Sequence, residues 1–146
     1  AIEVAKEIRN NIPENIPLFV RLSCTDWVEN GWDIEQSIYL SKELKNVGVD
    51  LIDCSSGGSV IDAKIPAGFG YQIPFSERIK NEVKIFTGGI GFITSPEQAE
   101  TIIRTHQSDI VLLAREMLRN PYWALHAAKK LNVEIDWPKQ YLRAKF

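Results

Sequence analysis

Val83-Lys-Ile-Phe-Thr-Gly-Gly-Ile-Gly91, a helix start at Ser95-Pro96-Glu97-Gln98, and Asp109-Ile-Val-Leu-Leu-Ala-Arg115 carry most of the information about how this chain folds. The apolar run Val83 to Thr87 reads as a strand, and Gly88-Gly89-Ile90-Gly91 as the turn that ends it. Ser95 is placed to N-cap a helix, Pro96 suits its first turn, and Gln98 is spaced to complete a capping box, with Ala99, Ile102 and Ile103 facing inward. Asp109 to Arg115 reads as the next strand. Glycines let backbone N–H groups approach an anion without interference from a Cβ, and two such turns at neighbouring strand ends aim donors at one point. Arg115 adds a fixed charge and a planar fork of donors that matches phosphate oxygens. The pattern is that of a phosphate cradle.

Working outward, the same alternation recurs. Ile2, Ala5 and Ile8 have helical spacing, and Asn10, Asn11 and Pro13 stop that helix. Pro17-Leu-Phe-Val-Arg-Leu-Ser23 forms a strand with Phe19, Arg21 and Ser23 on one face and Leu18, Val20 and Leu22 on the other. A loop rich in tryptophan (Trp27, Trp32) leads to Asp33, the expected cap of a helix through Ile34, Ile38, Leu40 and Leu44, which Gly48 ends. Val49 to Cys54 is the next strand, apolar on both faces as a covered parallel strand is. Residues 60–74 form a long loop with two prolines and two glycines, a candidate ligand-binding loop. Phe75 to Glu82 is a short helix. Glu116 to Leu131 is a last one, broken near Asn120-Pro121, and Asn132 to Phe146 shows no clear period.

Strand starts at Pro17, Val49, Val83 and Asp109 lie 32, 34 and 26 residues apart, and a helix follows each. Right-handed crossovers force such βα units into a parallel sheet, either a barrel wall or an open doubly wound sheet. A full (β/α)8 barrel needs about 250 residues, and 146 residues with four strands make half of one. A phosphate site after the last two strands is a habit of that barrel. A single domain, residues 1–146, is expected.

Composition narrows the function classes. Seventeen basic against nineteen acidic residues give a net charge of −2, so neither nucleic acid nor a membrane surface is expected as the main partner. No apolar run is long enough to span a bilayer and the amino end has no signal-peptide core, which points to the cytoplasm. Two cysteines, Cys24 and Cys54, form no disulfide framework or zinc spacing and are expected to remain thiols. The opening Ala1 and the helical character of the first residues suggest a fragment.

In either architecture ligands bind at the carboxyl ends of the strands. Those ends carry Arg21 and Ser23, Cys54 to Gly58, Thr87 to Gly91, and Ala114-Arg115. Arg21, flanked by Leu, Val and Phe, needs an anionic or polar partner, either a ligand or a structural salt bridge to Asp26 or Asp53. Gly89-Ile90-Gly91 fails as a dinucleotide fingerprint, because Thr94 replaces the third glycine and no acidic residue ends the next strand. His106 and His126 belong to outer helices, and neither cysteine has a neighbouring base in sequence for nucleophilic work. Trp27 and Trp32 read as packing more than as ligand stacking. No carboxylate pair suits glycoside chemistry, no His/Cys cluster suggests a metal, and the clustered acids and later lysine of a receiver domain are missing.

Pro17-Leu-Phe-Val-Arg-Leu-Ser23, Gly48-Val-Asp-Leu-Ile-Asp-Cys-Ser-Ser-Gly57, Thr87-Gly-Gly-Ile-Gly91 and Ala114-Arg-Glu-Met-Leu-Arg-Asn-Pro121 together resemble the carboxyl-terminal half of the old yellow enzyme family, nearest its YqjM-like branch of NADPH dehydrogenases. That resemblance implies a (β/α)8 barrel of which this chain supplies strands five to eight. It also implies FMN as cofactor and hydride transfer from NAD(P)H through the flavin to activated alkenes. It assigns Arg21 to the pyrimidine edge of the flavin, and Gly88, Gly89, Ala114 and Arg115 to the FMN phosphate. Gln140-Tyr-Leu-Arg143 is similar to the branch's terminal motif, whose arginine enters a neighbouring subunit's active site, although Ala144-Lys-Phe146 stands where that branch ends in Gly-Trp. The family's substrate-binding residues lie in the amino-terminal half, so no catalytic residue is assigned and the chain alone is expected to be inactive. Two readings remain beside this one: a non-catalytic half-barrel that associates with itself or with the missing half, and a different phosphate-binding barrel enzyme.

Overall fold

The computed structural model describes residues 1–145 as one four-stranded sheet backed by helices. Phe146, part of the tail comparison above, lies outside the described residues. The strands β1 (Phe19–Ser23), β2 (Leu51–Ser55), β3 (Phe86–Gly89) and β4 (Ile110–Val111) are all parallel and lie side by side in chain order. Sequential order excludes the reversal at which a doubly wound sheet changes direction. Successive right-handed crossovers therefore put the helices on one side, as in the wall of a barrel.

Among the described residues there are six helices, α1 (Ile2–Asn11), α2 (Ile34–Asn46), α3 (Ile73–Val83), α4 (Pro96–Arg104), α5 (Arg115–Arg119) and α6 (Trp123–Lys130), followed by a 3₁₀ turn at Lys139–Ala144. The main core joins Ala5 of α1, Ile38 and Leu44 of α2, and Ile79 and Val83 of α3 to Leu18, Ile52 and Cys54. A second cluster gathers Ile73, Ile93, Ala99 and Ile102, with Val111, Leu113 and Trp123 against it. The opposite face of the sheet is bare: Phe19 and Phe86 are 53% and 65% exposed.

Local chemistry explains most boundaries. Asp33 caps α2 by accepting from the Gln36 backbone N–H at 2.9 Å, while the Gln36 side chain accepts from the Asp33 N–H at 3.1 Å, a complete capping box. Gly48 follows α2 with φ +91°, a conformation costly for any residue with a Cβ. Ser95 caps α4 as expected, its hydroxyl accepting from the Gln98 N–H. The Gln98 side chain, however, accepts from the Thr94 N–H, one residue earlier than a capping box requires. The helix after Arg115 is broken at residues 120–122, as Asn120-Pro121 suggested.

Several boundaries differ from the sequence expectation. α3 begins at Ile73, because Pro74 sits in its first turn and does not interrupt a loop. It runs through Val83, which is helix and not strand, and ends on Lys84 in the left-handed region at φ +56°. Lys45 of α2 closes that end: its ammonium donates to the Val83 and Lys84 carbonyls at 3.0 and 2.7 Å. β3 therefore starts at Phe86 and absorbs Gly88 and Gly89, so the turn proper opens at Ile90. β4 is two residues long, and Arg115 begins α5 and does not end a strand.

Two substitutions test this account. Asp33→Ala removes the acceptor half of the α2 box and is expected to lower stability by about 1 kcal/mol, read as a lower urea midpoint at unchanged slope. At Gly89 an added Cβ would lie 2.7 Å from Ile73 Cδ1 and 3.2 Å from the Ser108 side chain. Gly89→Ala should cost on the order of 1–3 kcal/mol by overpacking, and a wild-type midpoint would show that the strand yields more readily than its neighbours suggest.

Candidate functional site

The cleft at the carboxyl ends of β3 and β4 has a volume of about 220 Å³, below the roughly 300 Å³ of a pocket that swallows a whole small molecule. It suits one end of a ligand. Its walls are the turn from Ile90 to Thr94, the Leu112-to-Ala114 segment, Arg115, Glu116 and Arg119 of α5, and Tyr71-Gln72 from the long loop.

Buried polar contacts fix those walls. Gln72 is almost fully buried, its carbonyl accepting from the Ser56 hydroxyl at 2.6 Å and its amide donating to the Ile90 carbonyl at 3.2 Å. The Gly70 N–H donates to the Gly91 carbonyl at 2.7 Å, which ties the loop to the turn a second time. Trp123 of α6 donates its indole N–H to the Thr94 carbonyl at 2.9 Å. Gly91 has φ +128°, and a Cβ there would meet the Tyr71 ring at 3.1 Å, so both backbone and packing demand glycine.

The sequence-derived candidates separate in three dimensions. Ala114 and Arg115 line the cleft, and both are exposed. Gly88 and Gly89 do not line it. They are buried ladder residues, opposite Asp53 and Cys54 on one side and Ile110 and Val111 on the other. Arg115 lies over the Phe92 ring, its guanidinium carbon 4.8 Å from the ring centre, and meets no carboxylate among the described residues. Arg119, one turn on, is paired with Glu116 at 2.8 Å.

Arg21 corrects an expectation. Its neighbours in sequence suggested a buried guanidinium, but it stands on the bare face with a side chain 58% exposed. Its Nε donates to Asp53 Oδ2 at 2.6 Å, across directly registered positions of β1 and β2. The bond is to Nε, and no hydrogen bond of either terminal nitrogen accompanies it among the described residues. Asp53 Oδ1 is buried without a partner among the described residues. Arg143 lies in the exposed 3₁₀ turn, outside the cleft lining, in a tail held to the α5–α6 junction by the Tyr122–Tyr141 contact.

The remaining candidates lie outside the cleft lining. Cys24 and Cys54 are fully buried free thiols. The hydrogen bond with Cys24, burial and the adjacent Asp53 charge push the Cys54 thiol far above its ordinary value, which keeps the sulfur protonated and unreactive. Trp27 packs against Tyr71 and Phe75, and Trp32 donates to the Ser37 hydroxyl at 2.6 Å. His106 follows the end of α4, and His126 lies in α6 beside Asn120. Among the described residues no three His, Cys, Asp or Glu side chains are grouped to hold a metal ion, and no helix is long and apolar enough to cross a membrane.

Phe92, Tyr71 and Gln72 are the site residues that sequence reading missed. Their only signal was position, on a turn and a long loop beside the glycines.

Residues 1–134 match the model of the NADH:flavin oxidoreductase / NADH oxidase family. The chain is 48% identical over 128 residues to an NADPH dehydrogenase of Halalkalibacterium halodurans, covering 88% of this chain and 38% of that protein. It is 45% identical over 143 residues to an NADPH dehydrogenase of Bacillus velezensis, covering 98% and 40%. The chain thus spans about two fifths of the length of the curated relatives it matches. Among solved structures, a rhamnonate dehydratase from Gibberella zeae superposes with a TM-score of 0.53 at 13% identity, covering 96% of this chain and 32% of that one, a likeness of fold alone. A family match across nearly the whole chain, with a parallel sheet consistent with part of a TIM-barrel-like fold, shows that this chain belongs to the NADH:flavin oxidoreductase / NADH oxidase family.

Proposed function

We propose that this chain is the carboxyl-terminal, phosphate-binding half of an FMN-dependent NAD(P)H oxidoreductase, supplying strands five to eight of a (β/α)8 barrel. Arg115 carries the reading. A guanidinium at the mouth of a cleft sized for one end of a ligand, meeting no carboxylate among the described residues, is a cation prepared for an anion. The residues present fit FMN in a second respect: Arg21 is clamped through Nε alone, which leaves its terminal donors for the polar edge of a ring system. When bound, the flavin would accept hydride from NAD(P)H and pass it to an activated alkene.

In this reading Ala114 and Arg115 hold the phosphate directly, and Gly88 and Gly89 serve it by leading β3 to the cleft floor. Arg21 offers positive charge where negative charge grows on flavin reduction. Arg143, on an exposed tail, reaches a neighbouring subunit's site. The groups that grip the substrate belong to an amino-terminal half, so this stretch alone holds cofactor contacts without turnover, and the intact enzyme works in the cytoplasm. The bare sheet face with Phe19 and Phe86 exposed supports a covering partner, either that half or a second copy of this chain.

The test is an anaerobic FMN titration followed by flavin fluorescence. It uses the chain itself and a chimaera in which the chain replaces the matching stretch of the Bacillus velezensis relative. Saturable binding is expected in the chimaera, weakened about tenfold or more by Arg115→Ala or Arg21→Ala, the loss of one charge-assisted contact. Affinity unchanged by Arg115→Ala would remove that residue from the site. A folded chimaera with no affinity for FMN would overturn the cofactor assignment.

A further inference from the structure

Arg115 needs something to hold it. It opens a helix of five residues, its side chain is exposed, and no carboxylate fixes it among the described residues. A free arginine in that position samples many rotamers, and ordering it on ligand binding costs affinity. The contact that orders it is the Phe92 ring, 4.8 Å from the guanidinium carbon.

The backbone places that ring deliberately. Phe92 has φ +48°, a left-handed conformation that a bulky residue enters at a cost. Gly91 before it has φ +128°, so the turn reverses over two residues and leaves the Phe92 ring beside the Tyr71 ring, 5.9 Å between centres. Tyr71 in turn lies 6.3 Å from Trp27, which packs on Phe75 at 5.5 Å. A row of four aromatic rings thus runs from α3 to the cleft and ends under a cation. Ring stacking occupies the flat face of a guanidinium and leaves its N–H edges free, and those edges are what phosphate oxygens bind.

We infer that Phe92 is a positioning residue for Arg115, holding its N–H fork toward the cleft so that the site selects a ligand ending in a phosphate monoester over the same ligand without it. The inference rests on the FMN reading above and adds a residue to it. Phe92 lines the cleft and also acts through Arg115, so the larger part of its effect belongs to the phosphate and shrinks when either the phosphate or the arginine is missing.

The experiment uses wild type, Phe92→Leu, Phe92→Tyr, Arg115→Ala and the Phe92→Leu/Arg115→Ala double variant. Leucine keeps a Cβ at the left-handed position and an apolar side chain while removing the π face. In the free chain, the side-chain protons of Arg115 are expected upfield of ordinary arginine values in NMR spectra, in wild type and Phe92→Tyr but not in Phe92→Leu. In the chimaera, Phe92→Leu should weaken FMN roughly three- to tenfold, weaken riboflavin less, and cost less than that once Arg115 is alanine. Phe92→Tyr should restore the loss. Three results would overturn the inference: no upfield shift in wild type, equal weakening of FMN and riboflavin, or additive losses in the double variant. Absence of FMN binding by a folded wild-type chimaera overturns the cofactor reading itself, and the phosphate role of Phe92 with it. Intact FMN binding that is sensitive to Arg115→Ala but indifferent to Phe92→Leu overturns only the inference.

Discussion

A parallel sheet whose strands follow one another in chain order keeps its helices on one side, and that single constraint shapes this molecule. The covered side holds Ile52, Cys54, Leu44 and Ile79 with essentially no exposure. The other side carries Phe19, Arg21 and Phe86 in the open. Chemistry divides along the same plane. The side packed by helices needs only shape, whereas the bare side and the strand ends carry groups that require partners, among them the Arg21 fork, the Asp53 carboxylate and Arg115.

The cleft inherits its rigidity from the covered side. Ser108 lies in the core with its hydroxyl donating to the Thr87 carbonyl at 2.9 Å, and the Asp109 carboxylate accepts from the Thr87 N–H at 2.8 Å while pairing with Lys80 at 2.7 Å. These side chains lock β4 to β3 where the ladder itself contributes only two registered pairs. The two segments that border the cleft therefore leave a fixed junction. A ligand contacting both would find its donors already arranged, which is where binding sites gain affinity.

Legibility from sequence followed how local each cause is. Asp33, Gly48 and Ser95 act within a turn of their own position, and their helices were readable to within a residue or two. The end of α3 was not, because Lys84 takes the left-handed position that normally advertises itself with glycine, and the group that satisfies the helix end comes from Lys45 on another helix. That hidden end carried the error forward, moving β3 by three residues and turning Gly88-Gly89 from turn into strand. Arg21 was identified for its chemistry and misjudged for its burial, since flanking apolar residues describe a strand and not which side of it is covered. The Phe92–Arg115 contact joins residues 23 positions apart in sequence through a turn whose shape depends on Gly91 and Tyr71. No spacing rule contains it. The family itself was legible from whole motifs taken in order, which local physics does not compare.

Lys45 has one more consequence. By bonding the last carbonyls of α3 it makes the end of one helix a property of its neighbour. Fraying of α3 must break contacts that belong to α2, and loss of α2 leaves two carbonyls without donors at the point where the chain turns toward β3. The two helices thereby form one cooperative unit of local unfolding. The strand that leads to the cleft is tethered to that unit, so its exchange with solvent is governed by a lysine on the neighbouring helix.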